Sequence, residues 1–381
     1  MSPTDQRKAV DLGKQPTIAI VKLGDLGDVL LVTPLLSALR TRYPEGRLVA
    51  VVRGVGDEVL ANNPAVDQTV VVPASLSVGS LGAGMHSAVS LRRVRADALV
   101  IAHHLTLRSG ARNQRLLAAA ANALVVAGLD NGRGSFLTHR LPDRGFGAMP
   151  EWRYWLELGA LLGAPATGRP YIGIPPAARV AADSMLAPLS RRPFIVLHPV
   201  VGVYGPGRAW PVDRFTALAG MLDAAGHGIV VVGGDDATAA SHRICATLTA
   251  AIDLAGRTSL AELAAIVDRA ALVIGADSGV VHLAATLNRP TLALFGPSNH
   301  HAWAPVGAEH VDTTCADLAA SASIGRVQVL RTGIPCSPCF YIGHALGRPN
   351  GCSTRTCLAD LSVELIAQVA RRMLLTHGGV E

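Results

Sequence analysis

The sequence predicts an α/β protein made of two doubly wound parallel-sheet domains. Three observations lead there. Short β-branched runs alternate with helical patterns along almost the whole chain, the signature of βαβ units. Many of those runs end in Gly- or Asp-rich turns that pass straight into a helix. The alternation breaks at a proline-rich stretch, 165–192, and starts again at Phe194. A length of 381 residues also exceeds what one core usually organises.

Composition narrows the class. Half the residues are hydrophobic and 4% are aromatic, ordinary for a globular chain with ample surface to bury. No apolar run approaches the roughly 18 residues of a membrane span. Met1 to Lys8 carries charges with no apolar segment behind them, so no signal peptide is expected. A cytoplasmic protein follows, in which cysteines stay reduced and a cysteine cluster suggests metal before disulfides. The formal net charge of +6 favours anionic partners. Without an aromatic-interleaved basic run, nucleic acid is not expected.

Residues 1–16 read as a disordered tail. Thr17 to Lys22 is a buried strand that meets the turn L-G-D-L-G-D at 23–28. Gly24 and Gly27 do not fit the dinucleotide fingerprint G-x-G-x-x-G, which disfavours an NAD enzyme. Pro34 suits the first turn of a helix with Thr33 as its N-cap, leaving Asp28 in the loop upstream. A carboxylate at a strand's carboxyl end suits a general base, although Asp is also common in solvated turns. Asp25 would raise the pKa of Asp28 if the two side chains converged.

Further strands are expected at 47–52, 68–73 and 98–102, with a Gly/Ser-rich loop at 76–84 and then a helix through Leu91 and Arg93. The strand at 98–102 delivers His103, His104 and Arg108 to the same rim. Adjacent histidines point apart and make a poor metal pair; they are acceptor contacts or plain loop residues. Arg112, Arg115, Arg133, Arg140 and Arg144 give this half a cationic surface. An amphipathic helix spans 151–162. Pro165, Pro170, Pro175 and Pro176 mark the linker, so the domains read as 17–175 and 193–360 with 176–192 between them.

In the second half, a strand at 194–198 opens a loop containing Arg208, and Pro211 begins a helix. The strand at 228–232 ends in Gly233-Gly234-Asp235-Asp236. Ser259 and Glu262 form a capping box after Thr258. The run at 271–274 leads into A-D-S-G-V-V-H at 276–282, a helix start whose N–H groups suit a phosphate. Asp277 or Ser278 could equally be an ordinary cap. Arg208 can reach a phosphate there with charge-assisted bonds. Cys336, Cys339, Cys352 and Cys357 are spaced C-x2-C-x12-C-x4-C. That pattern suits a structural zinc, with iron as rival, or simply reduced thiols in a loop at 333–357.

Four motifs, at 18–44, 198–211, 254–265 and 276–298, together resemble the heptosyltransferases of glycosyltransferase family 9. The resemblance covers about residues 17 to 372 and implies the GT-B fold, two Rossmann-like domains facing a cleft. It implies Asp28 as general base and Arg208, Thr258, Asp277, Ser278, Gly279 and His282 as donor-binding residues. The acceptor contacts then fall on Asp25, His103, His104 and Arg108. The implied reaction is an inverting transfer from an ADP-heptose-like donor to an anionic or glycan acceptor, with no catalytic metal or other cofactor. Peripheral association with the inner face of the membrane is expected, as is a final helix, 361–376, packing back onto the first domain. Some relatives have a comparable cysteine set, and one group of them holds iron. The alternatives are another nucleotide sugar, a natural-product or protein acceptor, or a non-catalytic sugar-nucleotide binder. The sequence departs from the family where Ala237, Thr238 and Ala239 replace an acidic residue near the donor ribose. It departs again at the histidine pair and at Asp25, where a small residue is usual.

Overall fold

The computed structural model describes residues 9–73, 81–189, 192–312 and 325–377. The chain divides into two compact units, Met1–Tyr171 and Ile172–Glu381. The first contains β1 (Thr17–Lys22), α1 (Leu26–Leu30), α2 (Thr33–Arg42), β2 (Arg47–Val52), α3 (Gly54–Leu60), β3 (Gln68–Val71) and α4 (Leu81–Val94). It continues through β4 (Ala98–Ile101), α5 (Arg108–Ala121), β5 (Val125–Asp130), β6 (His139–Pro142) and α6 (Glu151–Leu161). Its six strands are ordered β3-β2-β1-β4-β5-β6, and β1 pairs parallel with both β2 and β4. The inner strands β1, β2, β4 and β5 are near-continuous apolar runs because helices cover both faces of such a sheet.

The second unit opens with α7 (Pro176–Leu186), β7 (Phe194–His198), α8 (Val212–Ala224), β8 (Gly228–Val231), α9 (Thr238–Cys245), β9 (Ala251–Asp253) and α10 (Leu260–Val267). There follow β10 (Leu272–Ala276), α11 (Gly279–Thr286), β11 (Thr291–Leu294), α12 (His300–Trp303), β12 (Ala308–Asp312) and β13 (Val327–Arg331). A small antiparallel pair, β14 (Phe340–Ile342) and β15 (Ala345–Gly347), precedes α13 (Thr356–Ala359) and α14 (Val363–His377). The large parallel sheet is ordered β12-β13-β11-β10-β7-β8-β9. Both sheets therefore reverse winding beside their first strand, between β1 and β4 and between β7 and β10. Ligands of such sheets bind beyond the carboxyl ends at that switch point.

Three boundaries differ from the sequence expectation. Residues 1–8 of the expected tail lie outside the described residues, but the Val10 N–H donates to Leu161 O at 2.9 Å and Pro16 O accepts from Arg47 N at 2.9 Å. The expected linker at 176–192 is mostly α7, which packs on α10 with ion pairs Arg179–Asp268 at 2.7 Å and Arg269–Asp183 at 2.9 Å. Its prolines open the helix, where a missing N–H costs nothing. The buried face of α14 (Ile366, Ala367, Val369, Ala370, Met373) lies in the second unit's core, with Phe215, Leu218 and Leu222 of α8. Trp210 Nε1 ties the entry to that helix by donating to Leu361 O at 3.1 Å. The Gly/Ser-rich loop also ends earlier than expected, because α4 already begins at Leu81; 74–80 lie outside the described residues. Among the described residues no helix is long and apolar enough to cross a membrane.

Candidate active site

At the switch point of the first unit, Asp28 is not a loop residue. Asp25 caps α1, and Asp28 sits at its third position in a reciprocal capping box; Asp25 N donates to Asp28 Oδ2 at 3.3 Å. The start of α2 differs too: Val32 is its N-cap and the Thr33 hydroxyl donates to Leu30 O at 2.7 Å. Gly24 makes room for the carboxylate, since a Cβ there would lie 2.2 Å from Asp28 Cβ.

The sequence reading missed the partner that matters most. Lys22, 2% exposed at the end of β1, places Nζ 3.1 Å from Asp28 Oδ1 and 4.5 Å from the centroid of the Trp155 ring. Burial works to raise the Asp28 pKa, but Lys22, by its charge and hydrogen bond, and the Asp25 N–H outweigh it and hold the carboxyl below its usual value. The expected rise from Asp25 does not occur: Asp25 is exposed and meets Asp28 through its backbone N–H. A lysine at the end of an apolar strand was the available signal, because a buried cation requires a counter-charge.

The two histidines separate as neighbours on a strand end must. His103 Nε2 accepts from Leu23 N at 2.6 Å, closing β4 onto the turn after β1. Burial and the nearby Lys22 push its pKa down to about 3, so the ring is neutral. His104 points the other way, its nitrogens 2.9 Å from Asp143 Oδ1 and 3.0 Å from Glu151 Oε1. Although burial opposes it, those carboxylates raise its pKa to about 9. Both nitrogens of His104 are thus engaged by carboxylates of its own unit. Arg108 is exposed at the first turn of α5.

The second unit repeats the arrangement. The Ser278 hydroxyl and His198 Nδ1 share a hydrogen bond of 3.0 Å across the β7/β10 switch point. Burial lowers the His198 pKa to about 4. Ser278 is the N-cap of α11, yet no side chain caps that helix. The ordinary-cap reading therefore holds for Ser278 by position, without a side-chain bond to the helix. Asp277, 3% exposed, is engaged by Arg208: Nη1 donates to Asp277 O at 2.9 Å and lies 3.4 Å from Oδ2. Arg208 Nε donates to Gly205 O at 3.1 Å. Gly279 begins α11, and His282 is buried one turn in.

Arg208 stands on a short 3-10 turn, Pro206–Arg208, braced from outside. Gly207 N donates to Pro349 O at 3.1 Å, and a Cβ on Gly207 would lie 2.4 Å from Gly351 N. Thr258 is half-buried just before the Ser259 cap of α10, whose predicted capping box with Glu262 is present. Beside it, Gly256 adopts φ +69, and a Cβ there would meet Asp235 Oδ1 at 2.7 Å. Asp235 thus stands next to the Thr258 loop, where the family's acidic residue appeared to be missing.

The cysteines do not form the expected metal site here. Among the described residues no group of three or more His, Cys, Asp or Glu is gathered to hold an ion, and the four thiols are free. They are near enough to influence one another: burial and the charges of Cys339, Cys352 and Cys336 raise the Cys357 pKa to about 11. Four thiols match the chemistry of zinc or iron, but their positions do not supply a coordination sphere.

Two parallel α/β units, one with a lysine-paired carboxylate and the other with an arginine-flanked helix start at its switch point, have the architecture of a glycosyltransferase, and comparison with known proteins shows that class. Residues 115–332 match the profile of glycosyltransferase family 9 (heptosyltransferase), and the chain belongs to that family. It is 30% identical over 140 residues to lipooligosaccharide heptosyltransferase 2 of Haemophilus influenzae, spanning 34% of this chain and 40% of that relative. It is 27% identical over 295 residues to lipopolysaccharide heptosyltransferase 3 of Escherichia coli, spanning 73% and 83%. Among solved structures it is similar to the family 9 glycosyl transferase of Veillonella parvula, with TM-score 0.74 and 21% identity, covering 96% of this chain and 99% of the other. It is also similar to E. coli ADP-heptose lps heptosyltransferase II, with TM-score 0.70 and 20% identity, covering 95% and 100%. These structural likenesses establish the GT-B fold.

Proposed function

We propose that this chain moves a heptose-type sugar from an ADP-linked donor to a hydroxyl of a lipopolysaccharide-type glycan, with inversion and without a catalytic metal ion. The observation that carries the reading is Asp28, held ionised by Lys22 at the carboxyl end of β1. The acceptor oxygen attacks the anomeric carbon, the bond from that carbon to the β-phosphate oxygen breaks, and its electron pair leaves with the diphosphate. Asp28 takes the acceptor proton as the new bond forms, a contribution of roughly 100- to 10,000-fold.

Negative charge grows on the departing diphosphate. The Arg208 Nη2 group, together with the backbone at the start of α11, suits its stabilisation. The hydrogen bonds described above engage Nε and Nη1, so Nη2 is the part of the fork assigned to phosphate. Asp235 beside Gly256 is proposed to accept from the ribose hydroxyls. The donor assignment draws on the names of the relatives and is tested by thermal unfolding with a panel of nucleotide sugars and nucleotides. ADP-heptose and ADP are expected to raise the melting temperature. Protection by a uridine- or guanosine-linked sugar, with none from ADP, would reject the adenine assignment.

A further inference from the structure

We propose that His198 keeps the first turn of α11 open for the donor diphosphate by holding the hydroxyl that would otherwise cap it. His198 is thus a positioning residue within the donor-phosphate reading proposed above, on which its role rests. A helix start leaves its first N–H groups without intrahelical partners, and a serine at the N-cap ordinarily offers its oxygen to one of them. A phosphate uses the same N–H groups. Cap and ligand therefore compete for one set of donors.

The second unit contains its own comparison. Ser259, the N-cap of α10, accepts from Glu262 N at 3.3 Å, and Asn299, the N-cap of α12, accepts from His301 N at 3.1 Å. Ser278 has an extended N-cap backbone, as Ser259 has, so the same bond is open to it. Its hydroxyl instead lies 3.0 Å from His198 Nδ1, and no side chain caps α11. The adjoining carboxylate, Asp277, is drawn to Arg208 Nη1. Both residues able to cap this helix are held away from it.

The sheet fixes where the ring stands. His198 is the last residue of β7 and pairs in register with Gly275 of β10, just ahead of Ser278. Gly275 leaves the ring its space, since a Cβ there would lie 3.3 Å from His198 Cβ and 3.2 Å from Val281 Cγ1. Toward β8, a Cβ on Gly233 would lie 3.6 Å from His198 Cδ2. His198 and Ser278 are both buried, where a hydrogen bond is stronger than in water. Burial also keeps the ring neutral, its pKa lowered to about 4. His198 thereby supplies a fixed hydrogen-bond partner and no charge.

The test is a double-mutant cycle read by calorimetric titration of the full-length protein with ADP, UDP and GDP, beside the melting temperature without ligand. In His198→Leu, or His198→Ala should the leucine variant not fold, the freed hydroxyl turns onto α11. Affinity for the nucleotide that the wild type binds should then fall about tenfold, with the melting temperature unchanged or raised. Ser278→Ala should stay within about twofold of the wild type, and H198L/S278A should recover to that level because the competing cap is gone. His198→Asn, whose amide nitrogen takes the place of Nδ1, should also stay within about twofold. A double variant as weak as H198L would overturn the proposal, as would H198L affinity equal to the wild type. Loss of affinity in S278A alone would do the same, by giving the hydroxyl to the phosphate. Preference for UDP or GDP would reject the adenine assignment alone, since the cycle reads the same contrast on either nucleotide. No binding of any of the three by the wild type would overturn the donor reading and the role of His198 together.

Discussion

Lys22 and Asp28 show how a side chain acquires a role through its partner. A lysine 2% exposed is costly to bury unless paired, and the neighbour 3.1 Å away is the carboxylate proposed to take the acceptor proton. Burial raises the Asp28 pKa and Lys22 more than reverses that effect. The base is then ionised at every pH above its depressed pKa, and activity is lost only as pH falls through that value. In Lys22→Met the charge disappears while the burial remains, so the acidic limb of kcat/KM against pH should move upward, by on the order of one unit. An acidic limb unmoved from the wild type would mean that Lys22 holds the fold and does not tune the base. Asp28 stood out in the sequence by its place after the first strand together with the family resemblance, since a carboxylate there can equally be a solvated turn residue; the structure places it inside α1. Its companion did not: which residue faces a buried group depends on how β1, α1 and α6 pack, and no spacing rule encodes that. The split between His103 and His104 was legible as alternation. That His104 bonds Asp143 and Glu151 depends on contacts 39 and 47 residues away.

Among the elements, the 3-10 turn carrying Arg208 is held by a part of the chain read only as a candidate metal loop. The clamp is backbone to backbone: Gly207 N to Pro349 O, with no room for a Cβ against Gly351. The same excursion reaches the loop after β11, where Cys339 N donates to Pro297 O at 2.8 Å and Ser337 Oγ to Gly296 O at 2.6 Å. Positioning of the switch-point loops is therefore a use of this excursion that requires no metal. Gly207→Ala should push the turn outward and weaken ADP binding by about tenfold, the worth of one well-placed charge-assisted bond, with melting temperature little changed. Calorimetric affinity equal to the wild type would show that Arg208 does not depend on the clamp. Prolines misled the sequence reading at α7 because a proline cluster signals a linker and a helix start alike. The periodic residues that followed, Ala178 and Ala182, buried in α7, were the deciding cue.

At the scale of the whole molecule, the fold was legible because two properties repeat: alternating β and α patterns, and strands ending in Gly/Asp turns. The same strand order appears in both units, each running 3-2-1-4-5 outward from its first strand, and each places its functional groups where the winding reverses. The proposed division of labour follows from that placement: proton removal is assigned to the unit that holds Asp28, and donor phosphate binding to the unit that holds Arg208, Asp277 and Ser278. The two can be separated by experiment. Asp28→Asn keeps the shape of the side chain and an oxygen for Lys22 but removes the base. With ADP-heptose and a lipopolysaccharide-core acceptor, its turnover should fall by roughly 100- to 10,000-fold while calorimetric ADP affinity stays within about twofold of the wild type, less than 0.5 kcal/mol. Turnover comparable to the wild type in that variant would contradict the account.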